Sequence, residues 1–412
     1  MTKDKRTMAI AKNMNAAREA GLIQVTLENE RIDGRIIKIH NRMCVNFASC
    51  SYLGLELDPR LIQAIVTASQ KYGSQFSASR AYLSITPYRT AEMRFMQICK
   101  RPVIIGPSTT LIHQSAIPVL VNDEDAVILD QQVHNSVAAA CRALAVRKVH
   151  MKINAHNHME RLDRLINRLK KNHKKIWYMM DGLYSMAGDF APVDQLTYLL
   201  DRHEQLHIYA DDAHGASWQG RHGEGLILNK LGDNPKVTVT LSLNKSFAGA
   251  GGLLAVADDA VKQAIRDLGE TLTFSGPIQP PMLGAVCASA DIHLSNELAG
   301  HQRKLREKIQ YFNALCANKG LHLVDHSVSP IRFIQIGATE DTIWLARELL
   351  NRGYYVCSAG FPSVAKNKAG LRMTITNHIT EEDMRMLTEE IAFLTETRNS
   401  QGQALEEAAE TI

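Results

Sequence analysis

No stretch of this 412-residue sequence approaches the roughly 18 to 20 consecutive apolar residues that a membrane-spanning helix requires. The opening MTKDKRTMAIAKNMNAAREAG is charged, with no apolar run ending at a small-residue cleavage site, so a cytoplasmic protein is expected. Cysteine is sparse and unpatterned. Cys44, Cys50, Cys99, Cys141, Cys287, Cys316 and Cys357 are odd in number and show no C-x-x-C spacing, which argues against a disulfide framework or a zinc site and for reduced thiols. No internal repeat or P-loop G-x-x-x-x-G-K-[ST] is present. Excess charge is small too: a formal +4 calls for no nucleic-acid partner, although a mildly basic balance favours an anionic substrate.

The length suits two domains or a large and a small one, and the composition is that of a globular protein. From about residue 95, short apolar runs alternate with loops and amphipathic helices. The runs are Pro102–Ile105, Ala126–Leu129, Ile176–Met180, Leu206–Ala210 and Val237–Leu241. Continuous apolar runs of this length, separated by helices, predict buried strands of a largely parallel sheet. Leu162, Leu165, Ile166 and Leu169 mark one such helix, whose Arg and Lys face reads as a solvated surface. From about residue 285 the pattern changes to long helices over 284–318 and 340–352, strands at Pro330–Ile336 and 370–376, and a last helix near 381–396. The predicted division is an arm over 1–45, a large α/β domain over 46–285, a smaller α+β domain over 286–398, and a flexible tail over 399–412.

Ligands of open α/β sheets sit beyond the carboxyl ends of the strands. The residues following the five runs are Ser108-Thr109-Thr110, Asp130 with His134, Asp181 through Ser185, Asp211-Asp212-Ala213-His214, and Ser242 with Lys245 ahead of a glycine run. Hydroxyls at a helix start suit a phosphate, a buried aspartate suits a protonated pyridine nitrogen, and a lysine amine suits an aldehyde. Together they fit pyridoxal phosphate (PLP). Singly, each has an ordinary explanation. Ser or Thr after a strand is commonly a helix cap, a lone His is commonly structural, and Asp211-Asp212 could hold a divalent cation. His156 and His158 lack a third ligand at useful spacing, so no metal site is assigned.

The motifs resemble the α-oxoamine synthases, a branch of the fold-type-I PLP-dependent transferases, over roughly residues 45 to 395. SYLGLELDPRL (51–61) and SASRAYLSITPY (77–88) are similar to the family's opening and glycine-rich segments, with Arg80 in the arginine position. DGLYSMAGDFAPV (181–193), DDAHGASWQGRHGEG (211–225) and SLNKSFAGAGG (242–252) resemble its three central motifs.

The resemblance implies a large, mainly parallel sheet domain flanked by helices plus a smaller C-terminal domain. It implies a Schiff base on Lys245, which also moves the Cα proton, with Asp211 on the pyridine nitrogen. His214 and Ser185 would reach the ring hydroxyl and His134 would stack on the ring. Ser108, Thr109, Thr110 and Ser242 would hold the phosphate, with Ser275 a contribution from a second subunit of a homodimer. Arg372 would clamp the substrate carboxylate, with Arg80 and Ser51 near the substrate. The expected reaction joins a small α-amino acid to an acyl thioester, on coenzyme A or acyl carrier protein, with loss of CO2. An aminotransferase of the same fold and a non-catalytic partner subunit are the alternatives. The chain departs from the family pattern at Ser51 (Asn), Ser84 (Gly), Thr109 (Gly) and Asp181 (Glu), and His378 lies one residue nearer Arg372 than the customary His.

Overall fold

The computed structural model describes residues 3–410, and among them the chain forms two compact units. The larger unit comprises Leu53–Ser185 and Asp189–Gln302; the smaller takes the chain up to Tyr52, Met186–Gly188, and the chain from Arg303 onward.

The larger unit is built on a seven-stranded sheet of β1 (Val103–Gly106), β2 (Ala126–Asp130), β3 (His150–Asn154), β4 (Ile176–Asp181), β5 (Leu206–Asp211), β6 (Val237–Ser242) and β7 (Gly252–Ala255). Their order is β1-β7-β6-β5-β4-β2-β3. Neighbours from β3 through β6 pair in parallel, and β7 runs antiparallel between β1 and β6. Each expected run is a strand, and all five end one residue later than expected. The terminal residues Gly106, Asp130, Asp181, Asp211 and Ser242 therefore sit in the sheet rather than in the loops beyond it. Two strands lie outside the expected set. HMKIN of β3 is a largely exposed edge strand with polar residues, and β7 is an apolar run of only four residues.

The period of two along each strand divides the core. Ile176, Tyr178, Met180, Ile208, Ala210, Val237, Val239 and Leu241 pack on one face. Trp177, Met179, Tyr209 and Leu254 pack on the other, together with Ile112, Ala116 and Ile117 of the helix Thr109–Leu120. The helix Met159–Leu169 buries Leu162, Ile166 and Leu169 and turns Arg161, Arg164 and Arg168 to solvent, as its pattern predicts.

The region expected as one helix over 284–318 is two, Pro280–Leu294 and Leu298–Asn318. The first packs against the helices Pro59–Tyr72 and Thr86–Cys99, which draws it into the larger unit. Gly284 permits the close approach: a Cβ there would lie 2.4 Å from the Ala64 carbonyl oxygen. The division between units accordingly falls at residues 302 and 303.

In the smaller unit, Ile331–Gly337, Ala369–Thr374 and Cys357–Ala359 form an antiparallel sheet. The segment expected as a separate arm belongs here. Ile36–Ile39 and Arg42–Asn46 form a hairpin that pairs with Tyr354–Tyr355, Thr374 N–H donates to the Phe47 carbonyl at 2.7 Å, and Asn377 N–H to that of Tyr52 at 2.9 Å. The last helix runs Glu381–Glu410 where a frayed tail was expected, and residues 411–412 lie outside the described residues. Among the described residues no helix is long and apolar enough to cross a membrane.

Candidate active site

The carboxyl ends of β5 and β6 bring a lysine, an imidazole and a carboxylate together. Beyond β6 the chain folds back on itself through Ala248 N–H to the Lys245 carbonyl (2.8 Å) and Gly249 N–H to that of Leu243 (2.9 Å). Lys245 rises from this turn half-buried, and its Nζ lies 2.8 Å from Nε2 of His214, which follows β5. The His214 backbone is pinned in turn, its carbonyl accepting from Trp218 Nε1 at 2.7 Å.

Asp211 ends β5 and is buried. Its Oδ1 accepts from Ala213 N–H at 3.1 Å, and its Oδ2 lies 3.0 Å from Nε2 of the buried His113. Burial by itself would raise this carboxyl. The His113 hydrogen bond, with the nearby Lys245 and His134, outweighs it and holds Asp211 below the usual carboxylate range. Asp181 stands opposite Asp211 on β4 and goes the other way: burial and the Asp211 charge push it well up. Two adjacent buried carboxyls are thus pushed in opposite directions, and Asp211 is the one held as an anion.

The Asp181 side chain orders the neighbouring loop by accepting from His134 N–H at 2.9 Å. The His134 imidazole feels Asp211, Lys245 and His113, which assigns it to the same end of the sheet. Asp212 is fully buried, and burial followed by its neighbour's charge pushes it up to about 7. A Cβ at Gly182, Gly215 or Gly225 would come within 2.2–2.5 Å of its carboxyl. Three glycines from two separate motifs therefore surround one side chain.

Ser108 caps the helix Thr109–Leu120, its hydroxyl accepting from Leu111 N–H at 3.2 Å, a cap worth about 1 kcal/mol. Register places Gly106, Gly252 and Ser242 side by side across β1, β7 and β6. A Cβ on Gly252 would lie 2.6 Å from the Thr109 nitrogen, so glycine is what leaves the start of this helix open. Ser108, Thr109 and Ser242 can hold an anion here; Thr110 is exposed on the first turn.

Several expected residues have other partners. Arg80 donates to the Ile105 carbonyl (2.6 Å) and Glu92 (3.0 Å) and lies 3.8 Å above the Tyr88 ring, which makes it a brace for the end of β1. Ser275 donates to the Thr271 carbonyl, beside an exposed Phe274. Ser185 is half-buried in its loop. That loop is tied down by His156, which bridges Asp130 (2.9 Å) and Asp189 (2.8 Å).

In the smaller unit, Arg372 pairs across the sheet with Cys357 and interacts with Tyr52 and Cys50. Cys50, next to the expected Ser51, and Cys357 both meet the guanidinium with their side chains. His113, Tyr209 and Cys50 were not among the residues expected from the sequence. The one visible signal for His113 was an imidazole on the apolar face of a helix opening with Ser and Thr.

The carboxylate anion, the amine and the open helix start fit a pyridine ring that carries an aldehyde and a phosphate. A profile of the family "Aminotransferase class I and II" matches residues 42–391. The 8-amino-7-oxononanoate synthase of Symbiobacterium thermophilum is 29% identical over 91% of this chain and 94% of its own. The 8-amino-7-oxononanoate synthase 1 of Bacillus subtilis is 28% identical over 90% and 93%. Among solved structures, the serine palmitoyltransferase of Sphingomonas wittichii superimposes with a TM-score of 0.87 at 20% identity, covering 96% of this chain and 98% of that one. The chain belongs to the class I and II aminotransferase family, as a PLP-dependent enzyme similar to the 8-amino-7-oxononanoate synthases.

Proposed function

We propose that this enzyme condenses a small α-amino acid with an acyl thioester, releasing CO2 and free thiol and leaving an α-amino ketone. The observation that carries the reading is the Lys245–His214 contact beside an ionised, buried Asp211. The similarity to oxononanoate synthases over nine-tenths of the chain supports it.

Bound PLP supplies an electron sink for the pair left at Cα when its proton departs. The Ser108 hydroxyl, the Thr109 backbone and the Ser242 hydroxyl hold the phosphate, with Thr110 at the rim. Asp211 keeps a proton on the ring nitrogen, His134 covers one ring face, and Ser185 and His214 bind the ring hydroxyl. Arg372 grips the substrate carboxylate through two parallel N–H groups, which sets the angle of the Cα–H bond. Ser51 and Cys50 flank it. The Lys245 amine takes the Cα proton and later returns it, and His214 polarises the thioester carbonyl. A second copy of the chain supplies Ser275 to the phosphate. The exposed Tyr82, Leu83 and Phe274 form an apolar surface suited to that copy, with the Ser79 hydroxyl bound to the Thr273 carbonyl between them.

The test is a thiol-release assay of the PLP-loaded protein against a panel of small amino acids and acyl thioesters on both carriers. Thiol release that depends on both substrates, with one CO2 per thiol, is the expected result. Conversion of PLP to its amine form by an amino acid alone, with no thiol released, identifies an aminotransferase instead.

A further inference from the structure

We propose that His113 is a positioning residue whose Nε2 hydrogen holds the Asp211 carboxylate from behind, so that a proton between Asp211 and the ring nitrogen stays on the ring. The inference rests on the reading of Asp211 given above and assigns a role to residues outside the expected site.

The helix Thr109–Leu120 packs its apolar face, with Ile112, Ala116 and Ile117, against the sheet. An imidazole has no packing advantage there, yet His113 is wholly buried with both nitrogens engaged. Nδ1 lies 2.8 Å from the Tyr209 hydroxyl, Nε2 lies 3.0 Å from Asp211 Oδ2, and the Tyr209 hydroxyl lies 3.0 Å from Thr240 Oγ1. The strand period explains the alignment. Tyr209 and Asp211 are two apart on β5 and share a face, and Thr240 pairs with Asp211 from β6.

The direction of the chain follows from its hydrogens. An anionic Asp211 draws the hydrogen of a neutral His113 imidazole to Nε2, which leaves Nδ1 to accept from the Tyr209 phenol, kept protonated by burial. The Thr240 hydroxyl then donates to Tyr209, and the imidazole hydrogen sits on Nε2, aimed at Asp211. With Ala213 N–H on the other oxygen, the carboxylate accepts two donors before any ligand arrives. A carboxylate so bound is a poor base, so a proton shared with a pyridine nitrogen remains on the ring. His113, Lys245 and His134 favour the charge on Asp211, while Asp181 and Asp212 oppose it from the neighbouring strand and the next residue. Both of these are raised, which limits their opposition.

PLP labelled with 15N at the ring nitrogen tests this directly. The labelled cofactor is loaded into the parent protein and into H113F, H113Q, Y209F and D211N, and the ring-nitrogen resonance is followed against pH. The parent should hold the protonated position, H113F should move toward the unprotonated one, and H113Q, which keeps a donor, should return most of the way. Turnover of H113F should fall about 10- to 100-fold, with little change in the amino acid's KM. If H113F does not fold, Y209F carries the same test, because it keeps the ring and removes only the phenol hydroxyl. A parent-like resonance in the folded His113 and Tyr209 variants, with D211N displaced, overturns this proposal alone. A parent-like resonance in D211N overturns the reading of Asp211 and the proposal with it.

Discussion

Lys245 Nζ and His214 Nε2 stand 2.8 Å apart although 31 residues separate them in the chain. Each follows one of two adjacent parallel strands, so strand pairing itself sets the contact. Replacing Lys245 by Ala should abolish thiol release and the visible absorbance of the bound cofactor while leaving far-ultraviolet circular dichroism unchanged. An unaltered spectrum with normal turnover would defeat the assignment.

Gly252 tests the anion cradle. An added methyl meets the Thr109 backbone at 2.6 and 2.8 Å, and neither contact belongs to a flexible side chain. Overpacking of this kind costs about 1–3 kcal/mol. Gly252→Ala should therefore weaken cofactor binding about 10- to 100-fold, read by titrating the cofactor-free protein with PLP.

Asp212 should leave a signature in stability against pH. Its folded carboxyl titrates at about 7, against an ordinary value of 3.8, because burial opposes the charge. Between those values the folded state holds a proton that the unfolded chain has released, so stability falls as pH rises from about 4 to about 7 and levels off above. Asp212→Asn should remove this slope and match or exceed the parent in urea unfolding at pH 8. Asp212→Ala should lose the slope as well and lie about 2 kcal/mol below Asp212→Asn at every pH, since it orphans the Ile227 N–H and opens a cavity among three glycines.

Arg372 separates binding from chemistry. Lysine keeps the charge and loses the planar fork. Arg372→Lys should raise the amino acid's KM about 10-fold or more while leaving the acyl thioester's KM and the cofactor spectrum in place. Equal losses for both substrates would show that Arg372 does not hold the amino acid's carboxylate.

The sheet was legible because its inner strands are apolar on both faces and end in polar residues. That same pattern located Lys245, His214, Asp211 and the helix start at Ser108. What the sequence hid depends on distance along the chain. His113 reads as one polar residue in an apolar helix until β5 sets Tyr209 and Asp211 before it. The segment 47–52 reads as the start of the large domain until the Phe47 and Tyr52 carbonyls accept from Thr374 and Asn377 in the smaller unit. Cys50 then meets Arg372, a contact no motif announces. The motif glycines looked like loop residues, but Gly182, Gly215 and Gly225 are small because the Asp212 carboxyl occupies the space.

The position of β7 ties cofactor capture to the completion of folding. β1 comes first in the chain and β7 last among the seven strands, yet β1 joins the sheet only through β7. Gly106, Gly252 and Ser242 become neighbours when that late, antiparallel strand slots between its partners. Such long-range closure is the slow kind of step in assembling a chain. A half-built sheet can already align Lys245 and His214, but it has nowhere to lodge a phosphate. Appearance of the bound-cofactor colour during refolding therefore acts as a clock for the last strand's arrival.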